Sequence, residues 1–332
     1  MYITKMWLEK NNAPAELKEA YEETHWAKLG PNRFFKHLIR SGKSNLCSWL
    51  LDHINPSKKV LNVKGDLLQH SSFADMRNIR VSGDVHIDGS LWCNSLYATG
   101  NITITGTAHT SKGITSDKSI AVYKNLYTGG DVQATDDVFV SRSAKVGGSL
   151  STEQGYIDIG QSANIGDIIY SGGGIHVNGG VTNGDLIFTN GFFTVNGDVK
   201  TISINAQEEI VIGGCLDSMD IMARSDLRVN GSVTSEGSIV VLGALNVVGC
   251  VRCNKGHIRV AGKLSVLGSV LAARSLQVGG RLTSTGIIQV GAEYGIYAGI
   301  SMEVSNKVPM CIVGKKPENL VYGLWAPYLE ED

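Results

Sequence analysis

The feature that most constrains this chain is a pair of apolar residues, separated by one residue, that returns every 17 to 19 positions. The pairs are Val85/Ile87, Ile102/Ile104, Ile120/Val122, Val138/Val140, Ile157/Ile159, Ile175/Val177, Phe193/Val195, Ile210/Ile212, Leu227/Val229, Leu245/Val247 and Leu264/Val266, with a weaker member at Leu282. Alternation with a period of two is typical of a β-strand with one buried side. Its regular return predicts a solenoid in which each coil packs on its neighbours.

Glycine follows the same register, usually two positions before or after the pair, as at Gly83 and Gly89 around Val85/Ile87. Glycine allows the close approach that sharp corners require. The chain has 40 glycines but only 6 prolines in 332 residues, which excludes collagen. A period near 18 divides into three stretches of about six residues. We therefore predict an all-β, three-sided parallel β-helix over residues 59–300, with about 18 residues per coil.

Both ends of the chain depart from the repeat. Residues 1–58 carry helix formers after Pro14, an apolar stripe between Gly30 and Gly42, and a third short helical stretch from Ser48. We predict a small α-helical domain there. Residues 301–332 lose the glycine rhythm and predict a C-terminal cap, because the open end of a solenoid exposes unpaired strand edges. The candidate cap residues are Tyr322, Trp325 and Tyr328, and a docking site for another subunit is the alternative.

The predicted helical domain is basic, since residues 1–64 hold eleven Lys and Arg against six Asp and Glu. Arg33, Lys36, His37 and Arg40 share one helical face by their spacing, and Lys43 follows them. These five are the candidate partner-binding residues. They could contact nucleic acid, an anionic membrane surface or an acidic protein. The alternative is a solvated face whose opposite side packs on the first coil.

No grouping of residues in the sequence predicts a catalytic, cofactor or metal site. His86 and His176 occupy equivalent outward positions, but five coils of about 4.8 Å separate them. Asp167 and Asp185 could lie in neighbouring corners and hold calcium, although aspartate is also a common turn residue. A hexapeptide-repeat transferase is disfavoured because the six-residue frame slips. An enzyme with its site where the helices meet the solenoid remains a third hypothesis.

Composition limits the class of protein. Hydrophobic residues make up 42% and charged residues 18% of the chain, which excludes general disorder. No apolar run approaches the ~18 residues of a membrane span, and the start of the chain lacks a signal-peptide pattern.

The six cysteines are scattered, and the two of Cys250-x-x-Cys253 would face opposite sides of a strand. We expect reduced thiols and a cytoplasmic protein.

Several coils, such as those containing residues 80–89, 231–239 and 260–268, resemble the bactofilins, the polymer-forming β-helical cytoskeletal proteins of bacteria. This resemblance covers roughly residues 60–290. It implies a right-handed three-sided helix with no catalytic residues and no nucleotide, which assembles through its chain ends. Bactofilin cores have fewer coils and carry short disordered tails, whereas this chain has a helical domain and a predicted cap.

Three functions follow as hypotheses from these features. The first is a non-enzymatic structural or assembly scaffold that uses the solenoid for protein–protein interaction or self-association. The second is a binding protein of phage or mobile-element type that blocks a host protein complex. The third, an enzyme of the hexapeptide-repeat transferase kind or with a site at the helical junction, is the least favoured.

Overall fold

The structure, a computed structural model, describes residues 2–55, 57–298 and 302–304. It confirms the predicted fold, a mostly parallel β-solenoid of about 13 turns with about 18 residues per turn, accompanied by four short helices. Contacts divide the chain into two compact units, Met1–Ser151 and Thr152–Asp332. Each complete turn contributes three strand segments in the same order, which we name the ladder face, the second face and the third face.

In the first unit, two long strands, Phe73–Val81 and Leu91–Ala98, each bend from the second face onto the third. The ladder face contains Leu67–Gln69, Val85–Ile87, Ile102–Ile104, Ile120–Val122 and Val138–Val140. The second face also contains Ala108–Thr110, Leu126–Thr128 and Ala144–Val146. The third face also contains Val60–Val63, Ile114–Ser116, Val132–Ala134 and Leu150–Thr152.

The second unit repeats this order. Its ladder face contains Ile157–Ile159, Ile175–Val177, Phe193–Val195, Ile210–Ile212, Leu227–Val229, Leu245–Val247, Leu264–Val266, Leu282–Ser284 and Met302–Val304. The second face contains Ala163–Ile165, Val181–Asn183, Val199–Lys200, Leu216–Ser218, Val233–Ser235, Val251–Cys253, Val270–Ala272 and Ile288–Val290. The third face contains Ile169–Ser171, Leu186–Thr189, Ser203–Ala206, Asp220–Ala223, Ile239–Val241, Ile258–Val260, Leu276–Val278 and Ile296–Ala298.

The apolar pairs of the sequence lie directly above one another, as predicted. Ile157 pairs with Ile175, and Ile175 with Phe193, in parallel register. In most coils the inward residues on the three faces are almost fully buried and the outward residue between them is not, whereas the outward residues Trp92, Gln277 and Tyr297 are buried. The structure adds a ladder strand at each end that the sequence did not predict, Leu67–Gln69 and Met302–Val304. The second of these lies beyond the predicted boundary at residue 300.

Buried hydroxyls satisfy the carbonyl groups that the corners leave outside the strand ladders. Ser116 Oγ donates to the carbonyl of Gly100 at 2.7 Å, and Ser235 Oγ donates to that of Met219 at 2.6 Å. Both bonds reach back 16 residues, to the corner of the previous coil. Because a buried carbonyl without a donor is costly, these side chains allow the coils to turn sharply inside a dry core.

Four helices form the helical head (residues 2–55): α1 (Lys5–Lys10), α2 (Ala15–Glu22), α3 (Pro31–Arg40) and α4 (Leu46–His53). The first was not predicted, because it has only six residues; Thr4 stabilises it by accepting a hydrogen bond from the Trp7 amide. Proline occupies the first turn of α3. After this helix, Gly42 adopts a φ of 74°, which ends it as the sequence suggested.

One corner glycine tests how tightly the coils stack. A Cβ at Gly184 would lie 1.9 Å from the carbonyl oxygen of Gly166 in the previous coil, so Gly184→Ala must push two backbones apart. We expect a loss of about 1–3 kcal/mol in the free energy of unfolding, measured by urea denaturation. Gly30→Ala is the matched control, because a Cβ added there would meet no atom within 4 Å. Equal stability of both variants would contradict the close stacking.

Candidate binding site at the helical head

The helical head is fixed to the first coils by a shared apolar core. Phe34, Phe35 and Leu38 of α3 are fully buried in one cluster with Met76 and Trp92 of the second face. Trp92 also donates a hydrogen bond from Nε1 to Ser48 Oγ of α4 at 3.0 Å. The side of α3 opposite its charged face therefore packs on the first coils. The head and these coils form one body that can carry a binding surface.

A buried ion pair lies at the same seam. Asp75 is 6% exposed and accepts hydrogen bonds from Arg77 Nε and Nη2 at 2.9 and 2.6 Å. The Asn32 amide donates to Asp75 Oδ1 at 3.1 Å, while its oxygen accepts from the Met76 N–H at 2.9 Å. Burial alone would raise the pKa of Asp75, but the hydrogen bonds and charge of Arg77, with Asn32, outweigh burial and lower it.

The predicted partner-binding residues separate into two groups. Arg33, Lys36 and Arg40 are exposed on α3, and neither Lys36 nor Arg40 forms an ion pair within the described part of the chain. We call these three the basic surface of α3. His37 is half-buried, stacks on Phe34 and lies 3.8 Å from Glu23 of α2. Lys43 Nζ binds the other oxygen of the same carboxylate at 2.7 Å. Those two side chains are therefore engaged within the head.

The basic surface borders a cleft of about 910 Å³ between the head and the first coil, which we call the basic cleft. Its lining residues are Tyr2, Trp26, Lys28, Gly30, Pro31, Asn32, Arg33, Ile54, Asn55, Ser57, Lys59, Met76 and Arg77. They include four cations and no Asp or Glu. The Lys28 ammonium lies 5.3 Å from the Tyr2 ring centre, and the Arg33 guanidinium lies 5.3 Å from that of Trp26. Cation–π contacts at this distance hold both charges in place.

Sequence reasoning missed most of this cleft. Lys28 and Arg33 stood out as cations without an intervening acid, but Tyr2, Lys59 and Arg77 are far from them in the sequence. The antiparallel bridge between Ile3 and Leu29 brings Tyr2 to Lys28 within the head, and the docking of the head on the first coil adds Lys59 and Arg77. The exposed Trp26 was the one local signal, because an aromatic residue between cations is typical of a binding surface.

A second cleft of about 610 Å³ lies where the end of α4 meets the next coils, and we call it the His109 cleft. Asp52 Oδ1 and His109 Nε2 are 3.0 Å apart across it. An enzyme at this junction would need a nucleophile hydrogen-bonded to its base. Ser111 also lines the cleft, but its hydroxyl forms no hydrogen bond with His109. The cleft therefore does not supply the hydrogen-bonded nucleophile and base, and an enzyme at this junction stays a hypothesis.

Within residues 2–55, 57–298 and 302–304, no three His, Cys, Asp or Glu side chains are grouped closely enough to hold a metal ion. The corner aspartates instead bind backbone: Asp131 Oδ1 accepts from the Ser149 N–H at 2.8 Å, and Asp198 Oδ1 from the Cys215 N–H at 2.7 Å. The outward histidines pair locally, His86 with Asp88 at 2.9 Å and His176 with Asp158 at 3.0 Å.

Cys250 and Cys253 do not lie on the same side of one strand. Cys250 is exposed at a corner and Cys253 is buried within a strand, and both are free thiols. Burial raises the pKa of the Cys47 thiol to about 12. The candidate cap residues Tyr322, Trp325 and Tyr328 lie outside the described residues.

Asp75→Asn tests the ion pair at the seam. A folded-state pKa below the ordinary value means that Asp75 stabilises the fold above about pH 4, and that this contribution is lost as the pH falls through the lowered pKa. We expect the variant to lose about 2 kcal/mol at pH 7, since Arg77 is left partly buried without its partner. The difference from the unmodified protein should shrink towards about pH 3.

The measurement is urea unfolding followed by tryptophan fluorescence, because Trp7, Trp26, Trp49 and Trp92 all lie in the first unit. Glu19→Gln, at an exposed position on α2 in the first unit, is the control and should change stability by less than about 0.5 kcal/mol at any pH. A loss that stayed constant down to about pH 3 would contradict the assigned direction of the pKa shift.

No helix in the described part of the chain is long and apolar enough to cross a membrane. Comparison of the chain with models of protein families, with curated proteins and with solved structures finds no match.

Proposed function

We propose that this chain is a non-enzymatic interaction scaffold whose helical head binds an acidic segment of a protein partner. A β-solenoid is compatible with a structural or interaction scaffold. The observation that carries the proposal is the basic cleft, where Lys28, Arg33 and Lys59 line one concavity without an ion-pair partner in the described residues, and the basic surface of α3 continues its charge. Such a field attracts carboxylates and accelerates their encounter with the head.

The aromatic rings of the basic cleft are covered by cations of this chain, which favours a carboxylate ligand over a nucleic-acid base. Proteins that bind single-stranded nucleic acid offer aromatic faces on which bases stack. Here Trp26 and Tyr2 each carry a cation of this chain over the ring, so they serve to position Arg33 and Lys28. A membrane surface would instead require an exposed apolar face beside the cations. On α3 the large apolar side chains Phe34, Phe35 and Leu38 are buried. The exposed large apolar residues of the head are Met6 and the two rings that lie under cations, Tyr2 and Trp26.

Charge reversal tests the contact with a defined probe. We expect poly-L-glutamate to bind the unmodified protein and to bind Arg33→Glu/Lys36→Glu/Arg40→Glu at least about tenfold more weakly, because three attractions become repulsions. Binding is measured by fluorescence titration at two salt concentrations. The control, Lys124→Glu/Lys200→Glu/Arg252→Glu, makes the same charge change at exposed positions of the solenoid and should alter affinity less than about twofold.

Two outcomes would overturn the acidic-partner proposal. One is equal weakening by the control, which would show that only net charge matters. The other is tighter binding of a single-stranded oligonucleotide or of anionic vesicles than of poly-L-glutamate, lost on the same α3 reversal. The first outcome would mean that the basic surface of α3 is not a specific site. The second would mean that the partner is a nucleic acid or a lipid surface and not an acidic protein.

Self-association is the second part of the proposal, supported by the resemblance to polymer-forming solenoids and by the edge of the first coil. Val60–Val63 pairs with the strand above it in parallel register, and Leu67–Gln69 pairs with Val85–Ile87. Within the described residues neither strand has a neighbour on its other side. Val60 is 43% exposed and Leu68 is 59% exposed. An open edge with exposed apolar side chains recruits another chain.

We expect light scattering to give a mass above the 35.5 kDa of one chain, and Val60→Lys/Leu68→Lys to lower it, since lysine blunts strand edges. Leu267→Lys/Ile287→Lys removes equally exposed apolar side chains away from this edge and should leave the mass unchanged. A monomer at every concentration, forming a one-to-one complex with its partner, would favour the alternative of a blocking protein of phage or mobile-element type.

A further inference from the structure

The His109 cleft has a different construction from the basic cleft. Its floor consists of outward side chains of the second face from three successive coils, His109, Tyr127 and Lys145. Its wall is the end of α4 and the residues that follow, including Asp52 and Asn55. The ring centres of His109 and Tyr127 are 5.8 Å apart. The cleft is therefore a small concavity with an aromatic floor rather than an extended surface.

Two residues in this cleft carry buried polar atoms without a hydrogen-bond partner within the described residues, His109 Nδ1 and Ser111 Oγ. The Thr110 hydroxyl between them is also unpaired, but Thr110 is an inward residue of its strand. His109 is held at its other nitrogen by Asp52, so its ring orientation is set while Nδ1 stays unpaired. Buried polar atoms are nearly always hydrogen-bonded in folded proteins. Unpaired atoms of this kind beside a concavity point to a polar ligand.

The charges of the cleft select an anion. Lys112 and Lys145 line it and are exposed, and neither forms an ion pair in the described part of the chain. Asp52 is the one acid among the lining residues, and His109 already engages it. Two free ammonium groups beside the Ser111 hydroxyl match the several acceptor oxygens of a phosphate group.

The corner glycines leave room beside the backbone. A Cβ at Gly129 would lie 2.2 Å from the carbonyl oxygen of Ser111, so this corner cannot carry a side chain that would fill the cleft. Gly147 occupies the equivalent corner of the next coil. A ligand can therefore approach the lysine side chains and the floor without meeting a side chain at these corners.

We propose that the His109 cleft binds a small molecule that carries a phosphate group, with Lys112 and Lys145 contacting the phosphate, Ser111 donating a hydrogen bond to it, and His109 Nδ1 accepting one from a protonated phosphate oxygen. Tyr127 packs against the remainder of the ligand. This site adjoins the basic cleft, because Ile54 and Asn55 line both, but the two clefts share no cation. The phosphate contacts proposed here are therefore distinct from the contacts proposed for an acidic partner.

Isothermal titration calorimetry with phenyl phosphate, inorganic phosphate and benzoate tests the proposal. We expect phenyl phosphate to bind most tightly, since it offers both the phosphate and an aromatic ring. Inorganic phosphate binding as tightly would assign the site to the free ion, and benzoate binding as tightly as phenyl phosphate would overturn the assignment of a phosphate. Absence of binding by all three at millimolar concentration would overturn the site.

Lys112→Ala/Lys145→Ala should weaken phenyl phosphate at least about tenfold, and Ser111→Ala about threefold to tenfold. The control Lys118→Ala/Lys124→Ala removes two exposed lysines on neighbouring corners and should change affinity less than about twofold. Equal losses in both double variants would overturn the site. Unchanged circular dichroism melting verifies the fold. Lys112→Ala/Lys145→Ala should still bind poly-L-glutamate. A loss of phenyl phosphate binding alone would therefore concern this site and not the proposed binding of an acidic partner.

Discussion

The structure depends on one constraint, that the inward aliphatic side chains of successive coils lie above one another while backbone hydrogen bonds join the same coils. A shift of one residue would turn every inward side chain outward, so the register is strongly held on each face. The coils nevertheless differ in length: Ile157 pairs with Ile175 18 residues later, and Leu282 with Met302 20 residues later. The corners accommodate the difference in coil length, because side chains at the corners do not have to pack in the core.

The same constraint explains why aspartate, serine and threonine are concentrated at the corners. Each sharp turn leaves amide and carbonyl groups that no strand ladder pairs. Inward hydroxyls such as that of Ser116 donate to the carbonyls, and carboxylates such as that of Asp131 accept from the amides. Corner aspartates such as Asp131 and Asp198 are therefore turn-capping groups.

The two candidate binding sites lie where the helical head interrupts the regular coils. Outward positions on the second face normally meet solvent, but in the first coils they carry Ala74 and Trp92, on which the head docks. The docked head creates concave surfaces on both sides of the seam, lined by side chains of the head as well as of the coils. In the coils that follow, the same outward row changes to His109, Tyr127 and Lys145, which form the floor of the second cleft.

The amino-acid sequence by itself determined the fold and the identity of the inward residues, because a period of two within strands and of about 18 between coils is a local property of the chain. It also indicated the cations of α3, through helical spacing. Only the tertiary structure decided which of them remain available: Glu23 of α2 engages Lys43 and lies beside His37, leaving Arg33, Lys36 and Arg40 exposed. It alone brought Asp52 to His109, 57 residues apart, since that contact depends on the docking angle of the head, which shape complementarity sets and no periodicity encodes.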